Sequence, residues 1–303
     1  MVVAQYLLTF REVLEASVLT AIILSYLVAT GRTAMKRYAG YGALVAVVAS
    51  LVLGVAIWFL YGTLSEGNKV LFEGVAALIA VAVLTSVIYW MAIKARTIKS
   101  RIEGRVEAAV TQGALLGVAA ATFVLVFREG LETVLFLTPF MVQDVVGTIL
   151  GAVLGVGAGL GLAYAVFRFG VRLDLRKFFY FTSILLILLA GGLLGYAIHE
   201  LLKYAAIQGT ETGWWGQAAY VLPFSKASLF HNEGLIGSVF AVLVGYDVDP
   251  ERARVFAHIL YLTIALPLVI FIYRRPDAVA MLAARFRAFR RSFTVRVQAP
   301  QEE

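Results

Sequence analysis

Two eight-residue stretches carry most of the unusual chemistry in this sequence: LTFREVLE at 8–15 and LVFREGLE at 125–132. Each sets an arginine and two glutamates inside a run apolar enough to cross a bilayer: Arg11, Glu12 and Glu15 in the first, Arg128, Glu129 and Glu132 in the second. An ionisable side chain at mid-membrane costs roughly 2.5–3.5 kcal/mol, so three within five positions, twice over, need a compensating role. On a helix, the two glutamates of each copy are three apart and share a face. The arginine lies four residues before the second glutamate, within reach of an ion pair. Facing copies would gather four carboxylates and two guanidiniums, a net negative cluster in a medium of low dielectric. Carboxylates so crowded cannot all stay ionised without cations. Such a cluster binds protons or a multivalent ion, and its hard oxygens suit Mg2+, Ca2+, Mn2+ or ferric iron rather than Cu(I). The plainer reading, an arginine that neutralises its own glutamates for helix packing, leaves the surplus negative charge without a purpose.

Membrane helices must position these residues. Apolar runs of about twenty residues recur along the chain, enough to cross ~30 Å of hydrocarbon as helix. They predict an all-α polytopic membrane protein with seven transmembrane helices, at about residues 4–30, 41–62, 70–93, 109–141, 146–167, 178–202 and 253–273. The motifs fall in spans one and four, so the repeat unit is three helices. Three is odd, so the second copy enters from the opposite side. The expectation is an inverted repeat, spans 1–3 against spans 4–6, with a seventh span after it and the binding site at the repeat interface. Lysines and arginines crowd the odd-numbered connections and the tail, among them Arg32, Lys36, Arg37, Lys94, Arg96, Lys99, Arg101, Arg105, Arg168, Arg172, Arg176 and Lys177. The even-numbered connections are nearly free of them, with Lys69, Lys203 and Lys226. By the positive-inside rule the N-terminus is outside and the C-terminus cytoplasmic.

One transmembrane transporter domain is therefore expected over 1–273, with repeat 1 at about 4–93, repeat 2 at about 109–202 and an outer loop at 203–252. A basic cytoplasmic tail follows at 274–303. Hydrophobic residues make up 61% of the 303 and charged residues 15%, against about 25% charged in a typical soluble domain. The mean hydropathy of +0.87 agrees. The absence of cysteine excludes disulfides, thiolate metal sites and cysteine catalysis. The net charge of +7 belongs to the loops and does not indicate nucleic acid. The opening segment has no basic n-region and no small-residue cleavage site, so it reads as a span and not as a signal peptide. The tail stretch MLAARFRAFRRSF reads as a positive-inside stop signal in preference to a segment lying on the anionic inner leaflet.

With its doubled Arg-Glu-x-x-Glu motif in spans one and four, the sequence resembles the high-affinity iron permease family, the oxidase-dependent iron/lead transporters of fungi and bacteria. LFEG opening span three, YWM closing it, HEL at 199–201 and EGLIGSVFAVLVGYDVDP before the last span resemble bacterial members. The resemblance implies a cell-membrane importer. Glu12, Glu15, Glu129 and Glu132 would hold Fe3+ as the transported substrate, and Arg11 and Arg128 would be their companions. It also implies no permanently bound cofactor, and a separate ferroxidase or extracytoplasmic iron-delivery protein as partner beside the lipid bilayer.

Other acids and histidines are weaker candidates. Glu73 near the start of span three reads equally as an outer relay for the cation or as a helix-start carboxylate. Glu200, Glu233 and His231 could collect metal at the outer mouth, with His199, Glu211, Asp247 and Asp249 nearby. Their spacing matches no standard metal motif and favours solvated loop residues. His258 reads as a packed polar side chain. The apolar segment 234–246 is too short to span and long enough to be re-entrant. Gly151, Gly155 and Gly159 in span five, and Gly191 and Gly195 in span six, allow close helix approach and would hold the two halves together. Two further readings remain beside iron import. One is a proton-coupled or other multivalent-cation carrier for Mn, Pb or Ca. The other is a membrane di-iron carboxylate oxidoreductase, disfavoured because neither motif has a histidine three residues after a glutamate.

Overall fold

The computed structural model describes residues 2–94, 104, 107, 115–169, 175–225, 228–232 and 234–275. Glu233, Lys226 and the tail stretch MLAARFRAFRRSF lie outside them, as do the first residues of the fourth expected span.

Runs rich in Leu, Val, Ile and Ala wind into α1 (Val2–Ala29), α2 (Lys36–Gly62), α3 (Glu66–Lys94), α4 (Leu115–Gln143), α5 (Val145–Phe169), α6 (Leu175–Ile207), a short α7 (Leu235–Val244) and α8 (Arg252–Arg274). Six of these are long and apolar enough to cross a membrane: α1, α2, α3, α5, α6 and α8. α4 is 29 residues long and carries Arg128, Glu129 and Glu132 in its middle. The apolar segment 234–246 forms α7, a helix of only 10 residues.

Glycines end two of the long helices. Gly31 (φ 73°) and Gly209 (φ 74°) take the left-handed conformation that a side chain disfavours. The next amide then reaches back to the last turn, Arg32 N–H to Leu27 C=O at 2.8 Å and Thr210 N–H to Ala205 C=O at 2.9 Å. These bonds satisfy carbonyls that a helix end leaves open.

α6 runs five residues past its expected end at 202. The added turn holds two alanines, good helix formers, and Lys203 Nζ donates back to Glu200 at 3.0 Å. At 33 residues α6 is about 50 Å long, so it projects beyond a bilayer core. An extended segment then pairs with the start of α8: Ala219 N–H donates to Pro250 C=O at 2.8 Å and Leu222 N–H to Val248 C=O at 2.9 Å. Two arginines stand at this loop-side end of α8, and both are engaged. Arg252 donates to Gln217 at 2.9 Å and stacks on Trp214, and Arg254 pairs with Asp247.

The long helices pair across the chain. α1 lies along α5, α2 along α4, and α3 along α6, with α8 packed on α6. Glycines set two of these seams. A Cβ at Gly151 would meet Gln5 Cβ at 2.7 Å, at Gly155 the Phe10 amide at 2.9 Å, and at Gly159 the Val13 side chain at 2.9 Å. Span five's glycines thus seat α1, as expected of residues joining the two halves. Those of span six serve another element. Gly191 faces His258 and Leu262, and Gly195 faces Arg254, so they seat α8. The apolar core lies among α3, α6 and α8, with Leu84, Ile88, Leu186, Ile187 and Val269 fully or nearly fully buried. α2 and α5 present Leu51, Val52, Val55, Val153 and Leu154 outward, more than half exposed. That broad apolar surface suits lipid.

Candidate metal site

α1 and α4 bring the two motifs together. Helical spacing turns Glu12 and Glu15 to one side of α1 and Glu129 and Glu132 to one side of α4. All four are buried, from 1% exposed at Glu12 to 7% at Glu15. One oxygen each from Glu12, Glu15 and Glu129 lies within 4.8 Å of the others, a spacing that one ion can bridge. Glu132 stays with its own arginine, Arg128 Nε at 2.8 Å from its Oε1. Glu12 Oε2, Glu129 Oε2 and Glu132 Oε2 have no hydrogen-bond partner among the described residues. Buried acceptors left open in this way are costly, and a cation bound among Glu12, Glu15 and Glu129 would offset part of that cost.

The two arginines are held differently. Arg11 is 2% exposed. Its Nη1 donates to Glu12 at 2.9 Å, and its Nε lies 2.8 Å from Glu15 Oε1, the predicted i, i+4 pair. Its Nη2 donates to Met91 Sδ at 2.9 Å. Arg128 has a side chain 36% exposed, bonds Glu132, and lies 4.4 Å above the Trp90 ring. Consecutive residues near the end of α3 therefore hold both motif arginines. Trp90 and Met91 belong to the YWM segment, to which spacing alone assigns no role.

A second polar feature lies where α6, the end of α4 and the loop around α7 meet. A cavity of about 480 Å³ is lined there by Asp144, Tyr196, His199, Glu200, Asn232 and Asp247, among others. Of the expected outer residues it includes Glu200, 4% exposed and bonded to Lys203. It also includes His199, whose Nδ1 lies 2.6 Å from Glu251. Asp144, between α4 and α5, accepts the Gly147 N–H at 2.9 Å, and that bond holds its carboxyl below the usual range. Burial pushes the Glu251 carboxyl up, but the bonds from His199 and from its own backbone outweigh it and leave the group lowered. His231 is buried in the loop before α7. Glu73 lies behind the cavity wall: its two oxygens accept the hydroxyls of Tyr61 and of the cavity-lining Tyr196, each at 2.7 Å. It is a junction of α2, α3 and α6. His258 packs against Gly191 and Gly245.

Sequence reasoning missed Gln5, Thr9 and Thr148, polar side chains buried on α1 and α5. Gln5 and Thr9 stand seven and three residues before Glu12, on the same helical face, and that spacing was the available signal.

The model of the Iron permease FTR1 family matches residues 2–279. A protein of Archaeoglobus fulgidus, called uncharacterized, is 39% identical over 265 residues, 88% of this chain and 93% of the relative. A protein of Yersinia pestis named ferrous iron permease EfeU is 33% identical over 92% of this chain and 97% of its own length. One of the same name from Escherichia coli O6:H1 is 33% identical over 86% and 92%. No solved structure matches.

Proposed function

The chain belongs to the iron permease FTR1 family, and from that premise we propose that it carries iron inward across the cell membrane, held as Fe3+ by Glu12, Glu15, Glu129 and Glu132. The observation that carries the proposal is the meeting of three buried carboxylates from two distant helices within 4.8 Å. Motif arginines beside them balance part of their charge. Carboxylate oxygens are hard donors, and a trivalent ion gains most from them.

The empty cage is held by its arginines. Arriving iron displaces Arg11 and Arg128 from the carboxylates, so the cavity never stands as a bare cluster of negative charge. Release inward follows when arginines and protons reclaim the carboxylates. The inverted repeat is supported by the helix pairing, because α1 with α5 and α4 with α2 exchange under a two-fold that swaps helices 1–3 with 4–6. On this reading α4 is a seventh span, its charges tolerated because they face α1. The N-terminus is outside, and iron approaches from the α6–α7 side. A separate ferroxidase or iron-delivery protein supplies the ion.

A second reading concerns valence. Relatives at 33% identity are named ferrous iron permeases, so Fe2+ is the rival cargo, ahead of Mn, Pb or Ca. The di-iron enzyme reading is closed by the family, whose members are transporters.

The deciding experiment is uptake by purified protein in sealed vesicles, comparing Fe3+, Fe2+, Mn2+, Pb2+ and Ca2+. Saturable uptake preferring Fe3+ is expected, falling at least about tenfold in Glu12→Gln and Glu129→Gln, since each removes a charged ligand from a buried cage. Equal transport of Ca2+ or Mn2+ without competition from iron overturns the assignment.

A further inference from the structure

Thr9 breaks a pattern. Six other threonines in the long helices, at 20, 85, 122, 133, 138 and 182, donate their hydroxyls to the carbonyl four residues earlier. This is the usual resting place for a hydroxyl on a helix in an apolar medium. Thr9, at 2% exposure, is more buried than any of them but Thr122, yet its Oγ1 has no partner among the described residues. One turn earlier, Gln5 is wholly buried, and its Oε1 is likewise unpaired. The Gln5 amide nitrogen is engaged, donating to Thr148 Oγ1 at 3.5 Å. Thr148 is itself 2% exposed. Gln5, Thr9 and Glu12 follow at spacings of four and three, so their oxygens line one face of α1 over about 10 Å.

The column begins beside the outer cavity. Asp144 lines that cavity, and the Thr148 N–H donates to the Asp144 carbonyl at 3.0 Å. The first turn of α5 thus joins the cavity wall to the Gln5 partner. The column ends at Glu12, whose Oε2 is open.

We propose that Gln5, Thr9 and Thr148 form a transit subsite of neutral oxygens, through which a hard, oxygen-preferring cation passes from the outer cavity to the glutamate cage. An amide carbonyl and hydroxyls replace part of the hydration shell without adding charge. Binding of that kind is strong enough to admit an ion and weak enough to release it. The full carboxylates beyond then draw it onward. The subsite rests on the proposed role of the glutamates but makes its own prediction: it governs the rate of loading, and the cage governs occupancy at equilibrium.

The test pairs two measurements on each purified variant, equilibrium binding of ferric citrate and initial uptake into vesicles. Gln5→Leu and Thr9→Val keep side-chain volume and remove the oxygens. They should slow uptake about tenfold and leave equilibrium binding within about threefold, as expected when a weak transit site is lost and a strong one kept. Thr9→Ser restores the hydroxyl and should restore the rate. Thr122→Val, equally buried but with its hydroxyl bonded to Val118, should leave uptake unchanged. Wild-type uptake in both Gln5→Leu and Thr9→Val overturns the subsite. Loss of equilibrium binding together with uptake also overturns it, because the oxygens would then be part of the cage's own framework. Failure of the wild-type protein to bind iron at all defeats the cage itself, and is thereby told apart from failure of the subsite.

Discussion

Arg11 and Arg128 hold matching places in their motifs but are not equally replaceable. Arg11 is almost fully enclosed between two glutamates and a thioether, so Arg11→Ala strands buried negative charge at a cost of about 3–5 kcal/mol. Arg128 has a partly exposed side chain and bonds one buried glutamate, Glu132, where Arg11 bonds two, and it rests on the Trp90 ring, a contact worth roughly 0.5–2 kcal/mol. Unfolding midpoints in detergent should therefore drop further for Arg11→Ala than for Arg128→Ala. The double substitution should abolish saturable uptake; unchanged uptake would show that the arginines do not hold the cage. The six motif residues were legible from sequence because their cost in a membrane singles them out. Trp90 and Met91 were not, because a tryptophan and a methionine near a helix end look like ordinary packing until the arginine above them is placed. Thr9 and Gln5 were hidden for a related reason: a buried hydroxyl normally bonds its own helix, and only the fold reveals that the one on Thr9 does not.

Among elements, the α1–α5 seam depends on backbone approach. A Cβ at Gly155 would fall 2.7 Å from the Tyr6 carbonyl, whereas one at Gly157 meets nothing within 4 Å. Gly155→Val should push α5 off α1, costing about 1–3 kcal/mol through overpacking and displacing Thr9 and Glu12 with it. Gly157→Val should leave melting and uptake near wild type. Equal tolerance of both would show that the seam is loose. Six of the seven expected apolar runs correspond to helices long and apolar enough to cross a membrane, and the run at 109–141 falls on α4, whose charged motif sets it apart from them. Their ends were less legible. α6 continues through Lys203, which bonds back to Glu200, whereas a hydropathy reading ends the span at that charge. The partners of each glycine face were hidden as well: small-residue spacing tells that something approaches closely, and the structure tells that α8 sits on Gly191 and Gly195.

Across the whole molecule, the cysteine-free sequence offers a direct check of orientation. Thr33 and Glu211 are both exposed, in the first connection and in the loop after α6. An impermeant thiol reagent should label Glu211→Cys in intact cells and Thr33→Cys only after permeabilisation. The reverse pattern would invert the topology and place the cavity on the cytoplasmic face. The cross-chain pairing of α1 with α5, α2 with α4, and α3 with α6 also bears on biosynthesis. The first three helices leave the ribosome before any of these companions has been made. α1 must then enter lipid with its charges unscreened by α4, and α4 in turn can lean only on what precedes it. The four-residue step from Arg11 to Glu15, and from Arg128 to Glu132, lets each newborn helix neutralise part of its own charge. Each motif thereby eases its own passage out of the translocon, long before there is any cargo for it to hold.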